Sequence, residues 1–147
     1  MKPALSIAFA LLLAACGNDD QIASNGPLPD LATMSETPGD WSALDGLIGR
    51  TPADSGLFVA SPITVDLNAM LGPSAGLYRT AMGNASRLDR HGSVLVTIGE
   101  GGHAFLTIQP ADHAIEAGIR IQGRWRLFHT PGAQVPRPAV VTALLAR

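Results

Sequence analysis

The period of the hydrophobic pattern changes from about 3.6 residues to 2 beyond Gly83, and this change constrains the fold more than any other feature. Before it, Ile63, Leu67, Met70 and Leu71 recur at spacings of three and four, which places them on one face of a helix. After it, Val94, Val96 and Ile98 alternate with other residues, as do Ala104, Leu106 and Ile108, then Ile115, Ala117, Ile119 and Ile121, and finally Trp125 and Leu127. Such alternation is the signature of strands, so four are expected, with Ser86 to His91 as a candidate fifth. The breaks at Gly101-Gly102, Pro110 to Asp112 and Gln122-Gly123 are short, so neighbouring strands pair as antiparallel hairpins. The expected class is α+β: short N-terminal helices packed on a four- to five-stranded antiparallel meander, closed by a C-terminal helix.

Local signals place the helices. Asp40 is positioned to cap a short helix with Trp41, Leu44, Leu47 and Ile48 on one stripe, ending near Gly49. Ser61-Pro62 reads as N-cap and first helical residue of a segment that Gly72 ends. A third piece from Ser74 to Met82 groups Leu77, Tyr78 and Ala81, although Gly76 weakens it. One face of the meander needs a cover, which the helices at Ser61 to Met82 are expected to supply. Pro138 to Leu145 reads as a closing helix with Val140, Val141 and Leu144 inward.

Apolar residues make up 46% of the 147 and charged ones 15%, with 16 glycines and 11 prolines, which describes a folded chain rich in turns. The first forty residues are different. Lys2 gives a positive start, and Pro3 to Ala15 forms a weakly polar to apolar run ending in small residues, as a secretory leader does. Such a run is shorter than the roughly 20 residues that cross a bilayer. Cys16 is the single cysteine, so no disulfide partner exists for it. Leu13-Ala14-Ala15-Cys16-Gly17 resembles the lipobox of bacterial lipoproteins. That resemblance implies diacylglycerol on the Cys16 thiol, cleavage ahead of it and fatty-acyl chains such as palmitate. Each buried methylene contributes about 0.8 kcal/mol, so two or three chains would anchor the protein durably to a membrane. Gly17 stands where an aspartate would signal inner-membrane retention in many Gram-negative lipoproteins, which implies the periplasmic side of the outer membrane.

Residues 16–39 are rich in Asn, Asp, Ser, Gly and Pro, and Pro27, Pro29 and Pro38 oppose regular structure. They read as a flexible tether reaching roughly 25 Å. The expected organisation is therefore leader 1–15, tether 16–39 and one globular unit 40–147. Loss of Lys2 with the leader takes the net charge from −2 to −3 and leaves arginine as the only basic residue besides histidine. Nucleic acid has no evident foothold on such a chain. Arginines concentrate in the later part, from Arg79 to Arg147, either as a face for an acidic partner or phosphate or as solvated strand positions.

The run from Gly46 to Asp54, with Leu57-Phe58, Leu67 through Leu71-Gly72, Tyr78 and the strand pair Val94 to Ile98 and Ala104 to Ile108, looks like a broad group of small proteobacterial lipoproteins. These are in turn distantly similar to the inhibitor of vertebrate lysozyme, in which a helix precedes an antiparallel sheet and a His-containing loop plugs the lysozyme cleft. The matching place here is Gly99-Glu100-Gly101-Gly102-His103, where His103 alone could present an imidazole to catalytic carboxylates. Neither cysteine of that family's loop is present, so the loop is expected to be unbraced and to lose entropy on binding.

Catalytic motifs are sparse. There is no Gly-x-Ser-x-Gly, and the one thiol is assigned to lipid. His91, His103, His113 and His129 fall near strand ends without a metal-binding spacing, so neither metal nor cofactor is expected. Glu100, Glu116 and Asp112 supply carboxylates for glycoside chemistry only if the fold brings a pair together. Gly99 to Gly102 lacks the lysine and helix start of a phosphate loop. Trp41 and Trp125 are either sugar-stacking or core residues. The expectation is a non-enzymatic, lipid-anchored periplasmic protein-binding module, with Glu100, Gly101, Gly102, His103, Arg124 and Arg126 as contact candidates. The alternatives are a lysozyme inhibitor proper, with a lysozyme as partner, and a hydrolase with an unrecognised site.

Overall fold

The computed structural model describes residues Gly39–Arg147; the leader, the lipidation candidate Cys16 and the tether up to Pro38 lie outside the described residues. Asp40 caps as expected, its carboxylate accepting the Ser42 N–H at 3.0 Å. The segment it starts, Trp41–Leu47, is a 3₁₀ helix that buries Trp41 and Leu44. A four-residue helix, α1 (Pro52–Ser55), follows. It is too short for a hydrophobic period to show, but its cap is readable: Thr51 Oγ1 accepts the Asp54 N–H at 3.2 Å and donates to the Asp54 carboxylate at 2.7 Å, and Pro52 takes the first position.

Helix α2 spans Thr64–Leu71 and starts two residues later than the Ser61-Pro62 signal implies. Ser61 does not cap it. Its hydroxyl instead donates to the Leu57 carbonyl at 2.6 Å, while Thr64 Oγ1 accepts the Ser61 N–H at 3.1 Å, so the Ser61-Pro62 pair belongs to the preceding turn. Gly72 ends the helix as expected, at φ 51°. Helix α3 (Ala75–Ala81) buries Tyr78, but Leu77 is 54% exposed rather than inward. Successive helical residues point about 100° apart, and a helix this short buries a single row.

The sheet has five strands: β1 (Asp89–His91), β2 (Val94–Ile98), β3 (Ala104–Gln109), β4 (Ala114–Ile121) and β5 (Arg124–His129). Their spatial order is the chain order and every pair is antiparallel, so the expected meander is present with its fifth strand confined to Asp89–His91. The register sets two faces. Leu95, Ala104, Leu106, Ile108, Ile115, Ala117 and Ile119 pack with Trp41, Leu67, Leu71 and Tyr78 in the larger core. Val94, Val96 and Phe105 face the other way and pack with Val141 and Leu144 of the C-terminal helix α4 (Ala139–Leu145). The alternating valines of β2 thus meet α4 and not the N-terminal helices, and both faces of the central strands are buried. Residues between the alternating ones, such as Leu95 and Phe105, are therefore buried as well. Within α4, Val140 is 39% exposed and turns outward, against expectation. On β5, Trp125 packs against the smaller core while Leu127, on the same face, is 37% exposed.

The class is α+β. Among the described residues no helix is long and apolar enough to cross a membrane.

Candidate functional site

A meander sends alternate turns to opposite ends of the sheet. The β2–β3 turn at Glu100 to His103 and the β4–β5 turn at Gln122-Gly123 therefore share one end, and the Pro110–Asp112 turn lies at the other. All the contact candidates within the described residues, Glu100, Gly101, Gly102, His103, Arg124 and Arg126, consequently stand at or near the same end.

The glycine-rich turn is braced, contrary to the expectation of a loose loop. Gly99 N–H donates to the Ala104 carbonyl at 2.8 Å and Gly102 N–H to the Gly99 carbonyl at 3.0 Å. Glu100 accepts the Asn84 side-chain amide at 2.9 Å. A Cβ on Gly99 would stand 2.5 Å from the Ala81 carbonyl, and one on Gly102 would stand 2.8 Å from Leu144 Cδ1. Close approach to the end of α3 thus requires glycine at position 99, while Gly102 packs the turn against Leu144 of α4. His103 and Glu100 remain exposed, and the His103 carbonyl accepts the Arg120 N–H at 2.7 Å, which ties this turn to β4.

The neighbouring turn has Gln122 at φ 50° and Gly123 at φ 79°, both left-handed, as a tight two-residue hairpin requires. Arg124 and Arg126 pair with Ile121 and Ile119, so they lie on the sheet face that carries the N-terminal helices. Arg126 reaches Ser74 Oγ at 3.4 Å. Neither arginine has a carboxylate partner among the described residues, where the ion pairs are Arg90 with Asp45 and Arg137 with Glu116. Arg120 is differently employed, donating to the carbonyls of Gly123 and Arg147 at 3.3 and 3.1 Å.

The Glu116–Arg137 pair was not anticipated. Glu116 is 4% exposed on the face of β4 that α4 covers, and Arg137 Nε donates to both its oxygens at 2.9 Å. That hydrogen bonding raises the Arg137 pKa above its ordinary value. A hollow of about 490 Å³ opens beside the pair and His129, and Thr107 Oγ1, from the residue opposite Glu116, is buried without a partner. The sequence signal was a lone glutamate in the apolar run Ala114-Ile115-Glu116-Ala117, which needs a cation once buried.

The carboxylates proposed for glycoside chemistry are not assembled. Glu100 and Asp112 sit at opposite ends of the sheet, Asp112 accepts from Gln109, and Glu116 is occupied by Arg137. His91, His113 and His129 lie toward the Pro110 end and His103 at the other; no group of three or more His, Cys, Asp or Glu suited to a metal occurs among the described residues. Trp41 is a core residue with its ring tilted against His113 at 5.0 Å between centroids, and Trp125 is half-buried 5.7 Å from Phe105, so both tryptophans serve packing. A largely apolar groove of about 880 Å³ runs along α2 between Pro62, Val65, Met70, His113 and Pro131. No family model, curated protein or solved structure matches this chain.

Proposed function

We propose that the chain is a lipid-anchored envelope lipoprotein of the periplasm, held on the outer membrane through Cys16, whose α+β unit binds another periplasmic protein and catalyses no reaction. The anchor rests on the lipobox resemblance and on the single cysteine. The binding role rests on one observation above all: Arg124 and Arg126 stand toward the same end of the sheet as the exposed His103, two strands away, without carboxylate partners among the described residues. A rigid platform carrying unneutralised guanidinium groups suits an acidic protein surface, since charge complementarity steers encounter and selects partners.

The test is photo-crosslinking in living cells from the full chain carrying a photoreactive residue at position 103. A discrete adduct that disappears in the Arg124→Glu/Arg126→Glu variant supports the reading; adducts unchanged by the charge reversal overturn it. Metabolic labelling with a palmitate analogue, lost in Cys16→Ser, tests the anchor separately. A lysozyme is the first partner to try, because His103 is exposed on its turn. Muramidase inhibition that His103→Ala abolishes would identify the protein as a lysozyme inhibitor.

A further inference from the structure

We propose that β5 is a docking edge, and that its occupant is an extended peptide segment of alternating acidic and apolar residues, added as a sixth antiparallel strand. This rests on the protein-binding reading above and names the mode and chemistry of the partner.

β5 is the last strand of the sheet, six residues long, without a proline or a bulge. Among the described residues, no hydrogen bond reaches its backbone from the side away from β4. The two-residue turn fixes which groups are free. Ile121 and Arg124 flank that turn and exchange both ladder bonds, so Arg124, Arg126 and Phe128 point their N–H and C=O toward β4. Trp125, Leu127 and His129 point theirs outward, where an incoming strand would find them. Of the usual devices that blunt such an edge, proline and cover are absent here among the described residues, and charge alone, from Arg124 and Arg126, guards it.

The side chains then specify the occupant. Arg124 and Arg126 project from one face of the edge without carboxylate partners among the described residues, so the incoming strand needs acidic residues on that face. On the other face Leu127 is 37% exposed beside Trp125, which favours apolar residues at the alternate positions. A second copy of this chain fits poorly, because pairing two β5 edges crowds four arginines together.

The experiment measures fluorescence anisotropy of a capped, labelled Glu-Val-Glu-Val-Glu-Val peptide against the full chain in detergent micelles. The expected result is binding at least about tenfold tighter than for the matching Lys-Val peptide, with reversed preference in Arg124→Glu/Arg126→Glu. Leu127→Pro removes an outward N–H while sparing the β4 ladder, and is expected to abolish binding. Because that variant could unfold, the same peptide N-methylated at alternate residues is titrated against the unaltered chain, and it should not bind. Equal binding of the methylated peptide overturns strand addition; if the arginine variant still loses binding, the protein-binding reading survives. Binding indifferent to the arginines overturns both. A dimer that Leu127→Pro converts to monomer assigns the edge to a second copy and also overturns the proposal.

Discussion

The two edges of this sheet are built differently. β1 is three residues long, and the chain beside it is occupied: Gly49 N–H donates to the Leu88 carbonyl at 2.8 Å, Leu88 N–H donates to the Arg50 carbonyl at 2.9 Å, and Arg90 is ion-paired with Asp45. β5 is twice as long, and its arginines and outward backbone groups have no such company among the described residues. An open edge is an aggregation hazard; β1 is guarded by the chain beside it, whereas β5 carries the charges of Arg124 and Arg126 and no covering strand among the described residues. Natural strand-pairing receptors exploit the same property, with main-chain bonds supplying affinity and alternate side chains supplying selectivity.

The contrast predicts where substitutions hurt. The largest effect is expected at Gly118, which backs the open edge opposite Leu127; any Cβ there would overlap the Phe105 ring. Gly118→Ala should cost about 3 kcal/mol in chemical denaturation, because an overpacked sheet core must shift ring or strand. Leu88→Ala on the closed side should cost about 2.5 kcal/mol, since Leu88 is fully buried and leaves a cavity.

Tyr78 comes next. Its hydroxyl donates to the Phe105 carbonyl at 2.7 Å, so Tyr78→Phe should cost about 1.5 kcal/mol. Burial also holds its pKa well above the ordinary value. The folded state therefore keeps this proton where the unfolded chain releases it, and the stability is complete below the unfolded pKa of about 10. Stability should fall as pH rises past that point, and the part of the decline due to this group should vanish in Tyr78→Phe.

The smallest effects separate stability from binding. Asp45→Asn removes an exposed ion pair on the closed edge and should cost about 0.5 kcal/mol, less at high salt. On the open edge, Arg124→Ala/Arg126→Ala should change stability by less than about 0.5 kcal/mol. That pair should nevertheless weaken partner capture most, which is the separation expected when residues are kept for contact and not for the fold.

Much of this architecture is legible in the residues. Alternation marks the four strands from Val94 onward, turn residues mark the three hairpins that join them, and the Asp40 cap and Gly72 stop bound their helices; the short β1 and its turn at Gly92-Ser93 are not marked this way. What failed did so for identifiable reasons. Ser61 looked like an N-cap because its type and its proline neighbour fit, yet Thr64 reached back and the serine bonded to Leu57. The second buried face of the sheet was hidden because periodicity reveals that a strand is apolar, not which element covers it. Of the site, Glu100 to His103, Arg124 and Arg126 could be chosen from residue type, and short hairpins imply that they share an end. The bracing of the turn could not be seen, since it depends on Gly99 and Gly102 meeting Ala81 and Leu144 from distant elements. Nor could the Glu116–Arg137 pair, which joins β4 to the segment ahead of α4 across 21 residues of chain.

The most direct measurement is amide hydrogen exchange along β5 in the full chain, with and without the Glu-Val peptide. In the free chain, the Trp125 and Leu127 amides should exchange fast while Arg126 and Phe128, bonded to β4, exchange slowly. Added peptide should slow the two outward amides by about tenfold or more and leave the inward pair unchanged. Outward amides already protected in the free chain, or untouched by bound peptide, would contradict the account of β5 as an open docking edge.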